Sequence, residues 1–407
     1  MLARILKGLG LGNPQGTRFL EKGPYLWPIN LLRRRLGLAP NPYNSAGLIL
    51  NDLRPFEDVG FLADLQEADL AQGGISAPIA QPPDWPKLDL ARIRVGSGNS
   101  LPGLAKNVVP PPICLITYRN VYFAHRGDRF CILNDAFVDA NATALPSYRC
   151  LMDLRRNSAL RVARLIYCGN QHSPDNPAHF LGDHLSTAIL LLDAGFSPSE
   201  IFLPATRAPV NQTLQQAINP NLMTVYPDQL YFTEELCLPT SITLPTFKHH
   251  PFHVADPSVL AAFANASVGA SRGTADRGHL IYLARRKTAR RRLENESQLI
   301  ECLEANGFAA IDMEDLSGPA QLAAMRAAKV IIAPHGGALA NLVAARPDAS
   351  IVELFHPNKG TLAFAVVAAR LGLNYQSVVG KACDGDRWSV DIDAVTQEVA
   401  SLTGGRP

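Results

Sequence analysis

Short apolar runs alternate with helical patterns over the second half of this 407-residue chain. Stretches with apolar positions three and four residues apart separate the runs, a spacing typical of amphipathic helices. Strands that alternate with helices build parallel sheets, so residues 255–385 are predicted to form one α/β domain. Its predicted strands are at 278–284, 308–312, 329–333, 350–354 and 374–378.

A second alternating region, residues 111–245, precedes this one. It begins with three short apolar runs separated by turn signals, which predict a meander. Strands and helices then alternate, so we expect two Rossmann-like parallel-sheet domains that face each other across a cleft. The meander strands are predicted at 113–118, 121–124 and 130–133, the later strands at 164–168, 200–203 and 223–226, and the helices at 177–194 and 207–218.

The two ends of the chain differ from the domains. Residues 1–110 are rich in Pro and Gly and weakly periodic, so an N-terminal extension of partly irregular structure is predicted. The first nine residues favour a frayed or packed terminal helix over a weak amphipathic anchor, which would make peripheral membrane contact. The segment 386–407 contains a last helix, expected to pack back on the first domain.

Composition narrows the class of protein. Apolar residues make up 47% of the chain, which is enough for a sizeable core, and the formal net charge of +2 argues against nucleic acid as the main partner. The seven cysteines are scattered, which favours a reducing, cytoplasmic location. Neither a zinc motif nor an apolar run of about 20 residues occurs, so we expect no metal site and no membrane-spanning helix.

The most informative local pattern is a turn between an apolar run and a helical stretch, at His335, Gly336 and Gly337. Two glycines allow close backbone approach, and a helix start presents free N–H groups to an anion. We expect a nucleotide phosphate there, with Glu353 bound to the ribose diol. The two commonest nucleotide fingerprints are absent, and the alternatives are tight packing at the glycines and an exposed surface glutamate.

Acid–base chemistry is predicted on the helix at 177–194. His179 and Asp183 are four residues apart and share one helix face, opposite the apolar face. Either side chain could take the proton of an attacking hydroxyl, or Asp183 could orient His179. The alternative is a solvated polar face with no chemical role.

A basic run follows the strand predicted at 278–284. Arg285, Arg286 and then Arg290 are the residues that we expect to clamp a diphosphate, because the guanidinium fork binds two phosphate oxygens. If arginines neutralise the diphosphate, no metal ion is needed. The alternative for this run is a solvated or lipid-facing basic patch.

Three blocks of this chain together resemble glycosyltransferase family 61, the capsular-polysaccharide type. Residues 334–354 are similar to its His-Gly-Ala-Gly-Leu-x-Asn turn and Val-Glu-Leu strand end, although the second Gly and the Ala are swapped. The resemblance implies that Asn341, the Asn of this turn, also belongs to the nucleotide site. Residues 282–296 resemble its Tyr-x-x-Arg-Arg and Asn-Glu block. Residues 176–183 resemble its Asn-x-x-His-Trp-x-x-Asp block, with Phe180 for Trp.

The resemblance implies a GT-B-like fold and a sugar transferase. We therefore predict an inverting glycosyltransferase (a hexosyl- or pentosyltransferase) with a nucleotide-sugar donor, a UDP-sugar, and a hydroxyl of a glycan or other acceptor. No cofactor is expected, since the nucleotide-sugar is a substrate. Two alternatives are a non-catalytic nucleotide-binding or scaffold subunit of a polysaccharide assembly system and a nucleotide-sugar epimerase.

Overall fold

The structure is a computed structural model. The expectations for residues 1–73, including the N-terminal amphipathic segment, lie outside the residues that it describes. These are residues 74–75, 92–95, 115–126, 129–133, 138–140, 159–169, 173–227, 229–239, 256–273, 279–287, 290–358 and 363–403.

The described residues alternate between strands and helices over most of the chain. The strands are β1 (Gly74–Ile75), β2 (Ile93–Val95), β3 (Leu115–Arg126), β4 (Arg129–Leu133), β5 (Val138–Ala140), β6 (Leu160–Tyr167), β7 (Ile201–Pro204), β8 (Met223–Val225), β9 (Leu230–Pro239), β10 (Leu280–Leu283), β11 (Ala309–Ile311), β12 (Val330–Pro334), β13 (Ser350–Phe355), β14 (Asn374–Val379), β15 (Lys381–Ala382) and β16 (Trp388–Ser389).

The helices mostly follow the predicted positions. The helix α1 is continuous but has three parts, Pro177–His179, a π-helical Phe180–Leu185 and Ser186–Asp193. The others are α2 (Pro209–Ile218), α3 (Pro257–Ala270), α4 (Glu296–Ala305), α5 (Gly318–Ala327), α6 (Ala363–Arg370) and α7 (Ile392–Thr403), with 3-10 helices at Pro198–Glu200, Met313–Asp315 and Gly337–Ala344.

One compact unit holds β1 and the described residues within 117–165 and 225–237. Its strands follow the order β5-β4-β3-β9-β6, and the pairs β3–β4 and β4–β5 are antiparallel, as the meander pattern predicts. Phe123, Leu165 and Leu236 are fully buried within it. These antiparallel pairs form the predicted meander, so the parallel part of the expected first domain does not include these strands.

The second unit holds the described residues within 76–116, 166–224 and 238–407. Its main sheet has the order β11-β10-β12-β13-β14-β2, and every pair is parallel. The end of β6 also pairs in parallel with β7 in this unit. The predicted parallel sheet of the second domain is therefore confirmed, whereas the expected boundary near 245–255 differs from this division.

The helices α4 and α7 cover one face of the main sheet. Leu299 and Leu303 of α4 and Val395 and Val399 of α7 share a buried cluster with the inward side chains of β10, β12 and β13. The expectation that the last helix packs back on the first domain is therefore wrong. The apolar side of α7 packs on this face of the main sheet instead.

The N-terminal extension contributes to the same sheet. Residues Ile93–Val95 form β2, which pairs in parallel with Tyr375, Gln376 and Ser377 of β14. The Pro-rich surroundings of this short strand hid it from the sequence pattern.

The other face of the second unit is helical. The helices α2, α3 and α5 pack on one another, and α3 and α5 also pack on the 3-10 helix Gly337–Ala344, which contacts the start of α1. This layer brings two of the predicted motifs together in one unit. No helix among the described residues has the length and apolarity needed to cross a membrane.

Candidate functional site

The glycine turn leaves the carboxyl end of β12, where parallel sheets bind ligands. The backbone N–H of His335 donates to Leu354 O at 2.8 Å, which holds the turn against β13. Gly336 is extended, and a 3-10 helix of eight residues begins at Gly337, where the sequence predicted an α-helix. The first N–H groups of this helix have no acceptor within it, so they are available to an anion.

Arg285 lies directly against this turn. Its Nη1 donates to His335 O at 2.7 Å, and a Cβ added to Gly336 would lie 3.3 Å from Arg285 Cζ. Only glycine permits this approach without displacing the guanidinium. Among the described residues no carboxylate forms an ion pair with Arg285. Burial is the main cause that lowers the pKa of the Arg285 guanidinium, and the charge of the neighbouring Arg291 is the second. The turn therefore carries a half-buried positive charge that favours an anion.

A buried carboxylate fixes the backbone of Arg285. Glu296 Oε1 accepts from Arg285 N at 2.8 Å and from the Tyr282 hydroxyl at 2.9 Å. Burial, then the Glu296 charge, raises the pKa of Tyr282 well above its usual value, so the phenol stays a donor. These two side chains hold the start of the loop that carries Arg285.

The remaining basic residues of the loop are engaged elsewhere or exposed. Arg286 Nε donates to Asp312 Oδ2 at 2.9 Å and Nη2 to the same oxygen at 2.5 Å, and Lys287 pairs with Asp315. The Asp312 hydrogen bonds raise the pKa of Arg286. Arg290 is exposed. Arg285 is therefore better suited than Arg286 to a free anion.

His335 forms a short contact with the acid predicted to bind ribose. Its Nδ1 lies 2.5 Å from Glu353 Oε1, and the Tyr375 hydroxyl donates to Glu353 Oε2 at 2.5 Å. The His335 ring also stacks on Phe355 at 5.1 Å and lies 5.6 Å from the Phe364 ring. Packing and hydrogen bonding thus immobilise the imidazole.

Two predicted ligand residues lie inside the protein instead. The Glu353 side chain is 0% exposed, and both carboxylate oxygens accept hydrogen bonds within the fold, so this arrangement does not favour a bound ribose. Asn341 is also fully buried, and its Nδ2 donates to Gln321 Oε1 at 3.3 Å. Both residues lie in the same unit as the glycine turn, as the sequence predicts, and the structure buries both of their side chains.

The predicted pair on α1 is formed. His179 Nδ1 lies 3.2 Å from Asp183 Oδ2, with the two side chains 38% and 28% exposed. The segment between them is π-helical, and such segments occur frequently at functional sites. On the opposite side Phe180, Leu181 and Leu185 are fully buried, as predicted.

The two motifs meet at the start of α1. Asn176 caps this helix, with Oδ1 accepting from Ala178 N at 3.1 Å. A Cβ added to Gly337 would lie 2.5 Å from the same Asn176 oxygen, so a side chain larger than hydrogen does not fit. The helix that carries His179 and Asp183 therefore starts in direct contact with the glycine turn.

Sequence reasoning gave no role to the supporting residues Glu296, Tyr282 and Tyr375. Tyr282 and Glu296 lie in the block that resembles the family's Tyr-x-x-Arg-Arg and Asn-Glu pattern, and the sheet register offers a signal for Tyr375. Ser377 is the register partner of Glu353, and Tyr375 lies two residues earlier on β14, on the same sheet face. Among the described residues no group of three His, Cys, Asp or Glu side chains is placed to hold a metal ion.

Comparison with protein-family models matches residues 178–352 to the family described as Glycosyltransferase 61. The match covers the His179–Asp183 pair, Arg285 and the glycine turn, and it ends one residue before Glu353. A search of curated proteins gave no match. The resemblance found in the three sequence blocks is thereby confirmed, and it supports a glycosyltransferase. Residues 178–352 of this chain are accordingly similar to glycosyltransferase family 61.

Proposed function

We propose that this protein is an inverting glycosyltransferase that moves a sugar from a UDP-sugar to a hydroxyl of a glycan or other acceptor. The family match supports the transferase class, and the resemblance supplies the inverting mechanism and the nucleotide-sugar donor. The GT-B arrangement implied by the resemblance stays a prediction.

The observation that carries the proposal is the charge of Arg285 beside the glycine turn. Its guanidinium is half-buried and lacks a carboxylate partner in the described chain, and one N–H already fixes it to His335 O. A charge held in this way stabilises negative charge that develops next to it without further reorganisation. The leaving group of sugar transfer, a nucleoside diphosphate, carries such charge.

The reaction that we propose is a single displacement. The acceptor oxygen forms a bond to the anomeric carbon while its proton passes to Asp183, or to His179 supported by Asp183. The bond from that carbon to the β-phosphate oxygen breaks, and its electron pair remains on the diphosphate. Both pair members reach solvent in part, so an acceptor can approach them.

The diphosphate rests, in this proposal, on Arg285, on His335 and on the free N–H groups at the start of the 3-10 helix. These cationic and N–H donors replace the charge neutralisation that a divalent ion supplies in other transferases, so we propose metal-independent turnover. The scattered cysteines remain our reason for proposing a cytoplasmic enzyme.

Nucleotide binding by the purified chain tests the proposal. Isothermal titration calorimetry with UDP, GDP and CMP, with and without EDTA, should show binding of UDP that survives EDTA. In Arg285→Ala the affinity should fall about 10-fold to 100-fold, as expected for loss of a charge-assisted hydrogen bond.

The matched control is Arg346→Ala. Arg346 follows the far end of the same 3-10 helix and pairs with Asp348, so its removal should leave nucleotide affinity unchanged. Absence of binding by any of the three nucleotides would overturn the proposal and favour the scaffold alternative. Equal affinity in Arg285→Ala and the wild type would remove Arg285 from the site.

A further inference from the structure

His335 is fixed at every polar atom but one. Its N–H donates to Leu354 O, its carbonyl accepts from Arg285, and its Nδ1 contacts Glu353. The Phe355 ring stacks on the imidazole, and the Phe364 ring packs against it at a tilt. Within the described part of the chain, Nε2 is the one polar atom of His335 with no protein partner. It is therefore the atom that this arrangement offers to a ligand.

Glu353 is placed to hydrogen-bond the His335 imidazole. Its side chain is 0% exposed, and one oxygen faces His335 Nδ1 while the other accepts from Tyr375. A buried carboxylate is costly unless its oxygens are paired, and here both are. A carboxylate oxygen that faces Nδ1 fixes a proton on that nitrogen. The Tyr375 hydroxyl keeps the second oxygen from competing for that proton.

We infer that Glu353 is a positioning residue, which together with Tyr375 holds His335 as an imidazolium whose Nε2–H donates to the leaving diphosphate. This inference rests on the proposed function and replaces the ribose role expected for Glu353. Its ligand is the terminal phosphate of a nucleoside diphosphate.

Both protons of the His335 imidazolium are accounted for in this step. The Nδ1–H remains donated to Glu353, and Nε2–H donates to a non-bridging oxygen of the β-phosphate. As the sugar–oxygen bond breaks, the electron pair moves onto the diphosphate and this hydrogen bond strengthens. The proton stays on Nε2, so His335 ends the cycle in the state in which it began.

The test compares UDP with 2′-deoxy-UDP in the wild type and Glu353→Gln. An amide cannot stabilise the imidazolium as the carboxylate does, so we expect UDP affinity to fall about 10-fold to 100-fold, the effect of one charged hydrogen bond. The preference for UDP over its 2′-deoxy analogue should stay as in the wild type. A ribose-binding glutamate predicts the opposite, since its loss would abolish that preference.

A spectroscopic readout separates positioning from a purely structural role. Histidine side-chain NMR on nitrogen-15-labelled protein, with the His335 signals assigned through His335→Gln, should show both nitrogens protonated in the UDP complex of the wild type. In Glu353→Gln the neutral ring should predominate. Tyr375→Phe, which keeps the carboxylate, serves if Glu353→Gln does not fold, and should weaken UDP binding several-fold.

The matched control is Glu398→Gln, which alters another acid of this unit, hydrogen-bonded to Gln376 on β14. It should change neither UDP affinity nor the His335 signals. A neutral His335 in the wild-type complex, or unchanged UDP affinity in Glu353→Gln, would overturn the inference alone. Failure of the wild type to bind any nucleoside diphosphate would overturn the proposed function and the inference with it.

Discussion

Two histidine–carboxylate pairs in one unit of this protein have opposite environments. The His179–Asp183 pair spans 3.2 Å on a helix surface, with side chains 38% and 28% exposed. The His335–Glu353 pair spans 2.5 Å between a turn and a buried strand, with side chains 12% and 0% exposed. The same two functional groups therefore reach solvent in part on α1 and are almost fully buried at the glycine turn.

The difference matches the two tasks that sugar transfer requires. A base must accept a proton and release it to solvent, which an accessible pair can do. A leaving-group site must present fixed charge that does not reorganise during the reaction, which favours a buried and fully hydrogen-bonded pair. Exposure, rather than residue type, separates the two roles.

The largest effect should come from the exposed pair. Asp183→Asn removes the proton acceptor or the group that supports it, so turnover should fall about 10²-fold to 10⁴-fold. UDP affinity and the unfolding midpoint should be those of the wild type, because Asp183 is not in the core. Steady-state transfer assays measure this change, with Asp193→Asn at the exposed end of the same helix as control. Full turnover in Asp183→Asn would break the comparison.

The buried pair should dominate stability instead. Glu353→Ala leaves the Tyr375 hydroxyl and His335 Nδ1 without acceptors, which should lower the free energy of unfolding by about 2–6 kcal/mol, or roughly 1–3 per unsatisfied group. Urea unfolding followed by circular dichroism gives this value. A loss below about 1 kcal/mol would show that the site relaxes easily and is not preorganised.

A substitution at Gly337 can strain the contact between α1 and the glycine turn without altering either histidine–carboxylate pair. Gly337→Ala places a Cβ 2.5 Å from Asn176 Oδ1, so we expect a loss of about 1–3 kcal/mol from overpacking. Gly182→Ala is the control, since no described atom lies within 4 Å of its added Cβ and alanine favours a helix. Equal unfolding midpoints for the two variants would contradict close packing at Gly337.

The smallest effect should be that of His179→Ala on stability. An exposed pair four residues apart on a helix contributes only about 0.2–0.5 kcal/mol, so the unfolding curve should almost coincide with that of the wild type. A loss above about 1 kcal/mol would mean that α1 depends on this pair structurally. The contributions of the two pairs to the free energy of unfolding would then differ less than their exposure indicates.

Sequence periodicity predicted most of the second unit. Five strands of its sheet were located within a few residues, because buried parallel strands appear as short apolar runs between helical patterns. The strand β2 and the packing of α7 were not predicted correctly. A three-residue strand in a Pro-rich segment carries almost no periodic signal, and an apolar helix side does not specify which sheet it will cover.

The site was predicted in part for a similar reason. Spacing along one helix places His179 beside Asp183, and a glycine turn after a strand indicates a ligand-binding edge. Burial decides what each polar residue then does, and burial depends on the tertiary fold. Thus Glu353 and Arg286, which look available in the sequence, are engaged by Tyr375 and Asp312. Arg285 belongs to the same basic run, but among the described residues its guanidinium binds the His335 carbonyl and forms no ion pair with a carboxylate.

The strand β2 has a practical consequence for expression of the sheet-forming region by itself. A fragment that begins after the extension, at residue 111, would lack Ile93–Val95 and leave the backbone of β14 unpaired from Tyr375 to Ser377. An uncovered strand edge is a template for pairing with another chain, so such a fragment should be prone to self-association. The extension therefore acts as a protective cover for the edge of this sheet, and a shortened enzyme should retain it.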